Sequence, residues 1–171
     1  MQDPKPEVWL RGPIPNVPLL LQPAAYALLQ SSEETERYLA DFPKDQLWTK
    51  IAGRASVGFH LQHITGVLDR MMTYAKSETL SQAQFAYLSE EGKPSTTINV
   101  DDLVVAFQNK VEEALSFFNT LNEATLKETR TVGRKKLPST TLGLLFHAAE
   151  HSQRHIGQLL VTKSVLTFSE D

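Results

Sequence analysis

The sequence contains no cysteine. That single absence removes disulfides, thiolate metal ligands and cysteine nucleophiles, so any metal has to be held by nitrogen and oxygen. Positive charge is also scarce: 17 Lys and Arg against 20 Asp and Glu give a formal net charge of −3. The basic cluster Arg134-Lys135-Lys136 falls in an expected loop, and three solvated side chains do not make the basic stripe that phosphate backbones need. No nucleic-acid partner is expected. Long apolar runs are missing too, since nothing approaches the ~18 consecutive apolar residues of a membrane span. The stretch Val17 to Leu29 with Ala25-Tyr26-Ala27 imitates a signal-peptidase site. Asp3 and Glu7 accompany Lys5 and Arg11 ahead of it, however, and Gln22-Pro23 interrupts it. A cytoplasmic protein without a membrane partner is therefore expected. A glycine-rich phosphate cradle and a dinucleotide fingerprint are likewise absent, which argues against a nucleotide cofactor.

What is present suits one helical domain. With 171 residues, 41% of them hydrophobic, the chain can bury one core, and residues 1–171 are expected to form a single domain. Residues 1 to 18 carry Pro4, Pro6, Pro13, Pro15 and Pro18 and predict an extended arm, with Val8, Trp9 and Leu10 as its anchor. Apolar spacing predicts a first helix from about Leu19 to Asp41, either starting at Pro23 or kinked there. A connection over Pro43 to Ala55 holds Trp48. Ser56 is the expected N-cap of a second helix over Val57 to Lys76. The region Ser77 to Thr97, with a short helix around Leu80 to Leu88 and a turn at Glu91-Gly92-Lys93-Pro94, is long enough for a lid or pocket wall. A third long helix runs from Asp101 to about Leu121. Glu123 to Lys136 reads equally as a short strand or an irregular loop. Pro138 and Ser139-Thr140-Thr141 announce the last helix, with proline in or near its first turn, continuing to about Val165.

The five histidines divide between the second helix and the last. His147, His151 and His155 follow one another at i, i+4 steps, a spacing that brings successive imidazoles over one face. Two neutral imidazoles so placed form half of a metal site. At 100° per residue, His151 and His155 fall near one edge of the apolar stripe of the last helix, and His63 at the edge of the stripe of the second. His60 points well into that second stripe. One member of the His60/His63 pair is expected to complete a three-histidine site. His60 otherwise reads as a core or hydrogen-bonding neighbour, and His147 as a surface residue. Gln158 and Tyr74 lie within about 20° of the ligand directions and fit either a supporting contact or ordinary packing. Arg70 is angularly near His63 and reads as a substrate-carboxylate receptor or a solvated cation. Met71 and Met72 read as core filler. His147-Ala-Ala-Glu150-His151 also matches the H-x-x-E-H pattern of a protease class. Glu150, though, is about 100° from His151 on the polar face, and Glu170 and Asp171 are the acids left downstream of it.

Ser56-Val-Gly-Phe-His-Leu-Gln-His63, followed by His151-x-x-x-His155-x-Gly-Gln158, resembles the DinB/YfiT-like superfamily of metal-binding proteins over about Leu19 to Val165. The resemblance implies an all-α four-helix bundle, here with the proline-rich arm, often dimeric. It implies zinc or nickel held by His63, His151 and His155 with positions open to water or substrate. It selects His63 over His60 because the family's first ligand follows a serine by seven residues. Trp48, eight residues before Ser56 rather than beside it, departs from the family's Trp-Ser opening. Assigned activities in the family include thiol S-transferases for low-molecular-weight thiols and a thiol-dependent isomerase. Two classes stay open: a metal-dependent hydrolase or thiol S-transferase acting on a small-molecule substrate, and a non-catalytic bundle acting through dimerisation or ligand sensing.

Overall fold

The computed structural model describes residues 5–168. Pro4 and Asp3 of the arm, and the terminal acids Glu170 and Asp171, lie outside the described residues. The chain is mostly helical, with long helices α1 (Gln22–Leu39), α2 (Val57–Ala75), α4 (Val100–Phe118) and α6 (Thr141–Leu166). Between them lie α3 (Gln82–Glu90), the one-turn α5 (Glu123–Leu126) and strands β1 (Thr129–Val132) and β2 (Leu137–Thr140). Helices α1 and α2 each pack on both α4 and α6. Among the described residues, no helix is long and apolar enough to cross a membrane.

Capping side chains set where the helices start. The Ser56 hydroxyl accepts from the Phe59 amide and starts α2 at Val57. Asn99 and Asp102 form a reciprocal box at the head of α4, and Thr140 accepts from the Gly143 amide to start α6. Each cap satisfies an orphan donor and is worth roughly 1 kcal/mol. In α1 the proline is accommodated rather than kinking: a short 3-10 turn over Leu19–Leu21 precedes it, and Pro23 sits in the first helical turn, where no amide partner is lost.

The apolar stripes then close two adjoining cores. Leu28, Ile64, Leu68, Phe107, Phe118, Leu145 and Ile156 belong to the larger, and Leu47, Leu61, Leu103 and Leu159 to the smaller. Met72 is buried in the larger core and Met71 packs against it, as core filler should. At roughly 1.5–3 kcal/mol per fully buried large side chain, these stripes supply most of the drive for association of the helices.

Two expectations about the fold need correction. The arm is anchored by Val8 and Val17, which are buried, whereas Trp9 and Leu10 are 60% and 56% exposed. Its grip on α1 is largely polar: the Val8 amide donates to Gln30, Arg11 holds Glu33 with two nitrogens at 2.5 and 2.7 Å, and the buried Gln22 side chain bonds Ile14 and Val17. A segment without periodicity gives no face from which to tell an inward tryptophan from an outward one. Pro138 does not open α6; it stands in β2 opposite Thr131, in a two-stranded hairpin where a missing donor is tolerated. That hairpin runs straight into α6 and delivers Thr140 as its cap. Trp48, distant from Ser56 in sequence, folds back over the start of α2. Its ring lies where a Cβ on Gly58 would be, 2.5 Å away, and its indole N–H donates to the Ser95 carbonyl at 3.0 Å.

Candidate metal centre

Helices α2 and α6 lie side by side, and their histidine edges face each other. Small residues on α6 allow this closeness: Ala148, Ala149 and Ser152 are buried, and Gln153 cross-links to α1 through the Ala27 carbonyl and Ser31 hydroxyl at 3.0 and 2.8 Å. His63, His151 and His155, all half-buried, bring one ligand nitrogen each to within 4.8 Å of one another and could hold a metal ion. His63 Nε2 and His151 Nε2 are 3.0 Å apart. At the ~2.0–2.1 Å bond length of zinc to imidazole, two nitrogens on one ion are about 2.9 Å apart at a right angle and about 3.4 Å at the tetrahedral angle. The observed spacing falls inside that range.

Hydrogen bonding on the far side of each ring decides which nitrogen is free. His63 Nδ1 faces Glu91 Oε2 at 2.6 Å. A carboxylate accepts, so the proton sits on Nδ1 and the Nε2 lone pair points to the cluster. His155 Nδ1 is 2.9 Å from Nδ1 of His60, a buried neighbour 3% exposed; with Nδ1 so engaged, Nε2 of His155 is left over. His60 therefore supports a member of the cluster from behind rather than joining it. His151 differs, because Arg154 Nη2 lies 2.9 Å from its Nδ1. A guanidinium only donates, so this contact needs an unprotonated Nδ1 and hence an Nε2–H directed at His63. Ligation through Nε2 would move that proton to Nδ1 and displace Arg154. The donor set fits a borderline-soft divalent ion: three imidazole nitrogens, no sulfur, and His63 already in the ligating tautomer.

Sequence reasoning missed the residue that holds His63. Glu91, directly after α3, has a side chain only 4% exposed, and its second oxygen accepts from Arg70 Nη1 at 2.7 Å. Arg70 is thus neither solvated nor open to a substrate, because its guanidinium, 9% exposed, is tied to this carboxylate. The pair occupies a notch on α2 left by Gly66, where an added Cβ would meet Glu91 Oε1 at 2.5 Å and Arg70 Nη1 at 2.6 Å. The turn is fixed by the Gly92 amide donating to Gln62 Oε1 at 2.7 Å, with Gly92 at a φ of 77°. The segment after α3 is thus held against α2, and through Glu91 it touches the histidine cluster. Glu91 itself carried no periodic or motif signal; only the mid-helix Gly66, which weakens a helix unless something needs its space, hinted at a close approach.

Comparison with known proteins identifies the relatives of this arrangement. The sequence pattern of the DinB superfamily matches residues 27–159, which include every histidine. The chain belongs to the DinB superfamily. In fold it is similar to a conserved protein of Enterococcus faecalis whose crystal structure superposes with a TM-score of 0.65 at 16% identity, covering 85% of this chain and 95% of that one. No curated protein matches it.

Burial favours the neutral form of His60, His151 and His155 in this DinB-superfamily chain, the form in which an imidazole ligates. It lowers His60 to about 4, helped by the nearby His63. Desolvation, then the charge of His63, lowers His151 to about 4. Desolvation and the neighbouring His151 lower His155 to about 3. The remaining candidates fall around this centre. Phe59 stacks on His63 with ring centres 5.0 Å apart. Gln158 borders the cavity beside His60, whereas Tyr74 packs against the larger core. His147 is exposed and bonds Glu150 at 2.9 Å. The ligand atoms of His147, Glu150 and His151 also lie within 4.8 Å of one another. Glu150 therefore reaches closer to His151 than the angular placement on the helix suggested, yet its carboxylate is already taken by His147 and by Arg154 at 3.0 Å.

Proposed function

We propose that the cluster is the metal centre of a DinB-like enzyme in which His63, His151 and His155 hold zinc or nickel. On this reading the four long helices form a DinB/YfiT-type four-helix bundle, acting in the cytoplasm as a homodimer. The enzyme activates water or a low-molecular-weight thiol against a small substrate, as a hydrolase or a thiol S-transferase. One observation carries the proposal. Nitrogens from two separate helices converge, while the back of His63 is fixed by Glu91 and that of His155 by His60. A divalent ion with three neutral ligands keeps its full charge and lowers the pKa of a water or thiol bound to it, which yields a nucleophile near neutral pH.

The chain's own residues supply the rest. Glu91 keeps the proton of His63 on Nδ1, and Phe59 covers one face of that ring. Residues 82–92 screen the side of the site next to α2. Neutrality of the buried imidazoles keeps the site ready at physiological pH.

The test is elemental analysis of the protein purified without a histidine tag, followed by thiol conjugation to a generic electrophile. Stoichiometric metal that is lost in both His63→Ala and His151→Ala, together with turnover dependent on that metal, is the expected result. Metal retained in either variant would overturn the ligand assignment. Metal binding without turnover by any thiol or water would instead favour a non-catalytic, ligand-sensing role.

A further inference from the structure

Beside the histidine cluster a cavity of about 750 Å³ opens between the turn that precedes α2 and the C-terminal half of α6. His60, Arg54, Arg154, Gly157 and Gln158 line it, and among the described residues no acidic one does. We infer that this cleft receives the substrate and selects small molecules bearing a carboxylate, gripped by the guanidinium groups of Arg54 and Arg154. The inference rests on the metal-centre reading above and adds the class of substrate.

Three observations support it. The Arg54 side chain has neither a hydrogen bond nor an ion pair with any described residue, although its backbone amide is fixed to the Ile51 carbonyl at 2.8 Å. A cation is thus held on a defined turn at the mouth of a cavity with no acid among its described lining residues to satisfy it. Arg154 is committed to Glu150 through one nitrogen, and its contact with His151 is incompatible with an ion on His151 Nε2. Once the centre is loaded, the donors of that guanidinium facing the cleft need another acceptor, and a planar two-oxygen anion matches the geometry of a guanidinium fork.

The third observation is Gly157. It is exposed in the middle of α6, and an added Cβ there would meet nothing within 4 Å. Glycine weakens a helix interior relative to alanine. No packing or backbone requirement among the described residues explains it, unlike Gly58 under Trp48 or Gly66 under Glu91. Bare backbone at this point of the cavity wall gives a ligand room to pass beside the cluster.

The experiment uses the full chain loaded with cobalt(II), titrated with 3-mercaptopropionate and with its methyl ester, and followed by the thiolate-to-cobalt absorption. The acid is expected to bind about tenfold more tightly than the ester, a difference of ~1.4 kcal/mol. Arg54→Gln should reduce that preference and Arg54→Gln/Arg154→Gln should erase it, weakening the acid far more than the ester, and Gly157→Ala should weaken both ligands while raising the melting temperature. Equal binding of acid and ester by the wild type would overturn the inference. So would a preference that survives in the Arg54→Gln/Arg154→Gln double variant, because it would then arise from chelation by the ligand's own carboxylate. Failure to take up cobalt would refute the metal centre alone. The arginine pair is then judged by calorimetry on the metal-free chain: binding of glutarate but not glutaramide, lost in the double variant, upholds it, and equal or absent binding of the two refutes it.

Discussion

Replacing Glu91 by glutamine separates a structural ion pair from a device that sets the protonation of a ligand. The carboxylate is 4% exposed and bridges Arg70, 9% exposed, to Nδ1 of His63. Removing one partner of a buried ion pair costs about 3–5 kcal/mol. Glutamine has the same shape and keeps one hydrogen bond from the charged Arg70, worth about 1.5–3 kcal/mol, so a loss of about 1–3 kcal/mol is expected. The amide must present its oxygen to Arg70, since an NH2 group against a guanidinium sets donor against donor. Its NH2 then faces His63 Nδ1, which has to accept. The proton of His63 moves to Nε2, the atom that points at His151, and that ring can no longer ligate. Loss of a supporting hydrogen bond alone weakens metal binding about 10–100-fold; with the tautomer reversed, a loss at the upper end is expected. Denaturant unfolding of the metal-free protein and chelator competition for zinc or nickel measure the two effects separately. A variant that loses stability but binds metal as tightly as the wild type would refute the tautomer argument.

Other perturbations follow from the same geometry. Gly66→Ala places a methyl group where Glu91 and Arg70 meet; metal affinity should drop about as far as on losing the Glu91 contact, roughly 10–100-fold, while the far-ultraviolet circular dichroism stays that of the wild type. His60→Ala should weaken metal binding only about tenfold, because it removes the partner of His155 rather than a ligand; loss of all metal in this variant would show that His60 is a ligand. For pH, the folded-state values of His60, His151 and His155 lie below the ordinary 6.5, at about 4, 4 and 3. Between those limits the unfolded chain binds more protons than the folded one, so stability of the metal-free protein rises with pH. It should be fully present above pH 6.5, fall through the interval from 6.5 to about 4, and level off near 3. Urea midpoints measured across that range check it, and a midpoint independent of pH between 6.5 and 4 would contradict the burial of these rings.

The long helices were legible in the sequence because 3.6-residue periodicity and capping residues act locally. Ser56 and Thr140 fix the phase of α2 and α6, and with it the face on which each histidine emerges. That phase was enough to bring His63, His151 and His155 to facing edges and to place His60 deeper. What stayed hidden depends on contacts between elements. Glu91 lies in a turn, 28 residues from the histidine it orients, and a turn has no period that marks a side chain as inward. The Trp48 contact with Gly58 is equally non-local. The four-residue strands β1 and β2 are too short to show alternation, and Pro138 in one of them imitates a helix start.

The helix that leads to Glu91 buries none of its own residues. Polar clasps attach it to α2: Gln84 to Asp69 and Thr73, and Tyr87 to the Gln62 carbonyl. An element fastened in this way can detach at small free-energy cost while the apolar interior stays intact. The grip on the ion would then be set by a peripheral flap rather than by the global stability of the domain, and whatever presses on or peels back that flap would tune how long the ion remains.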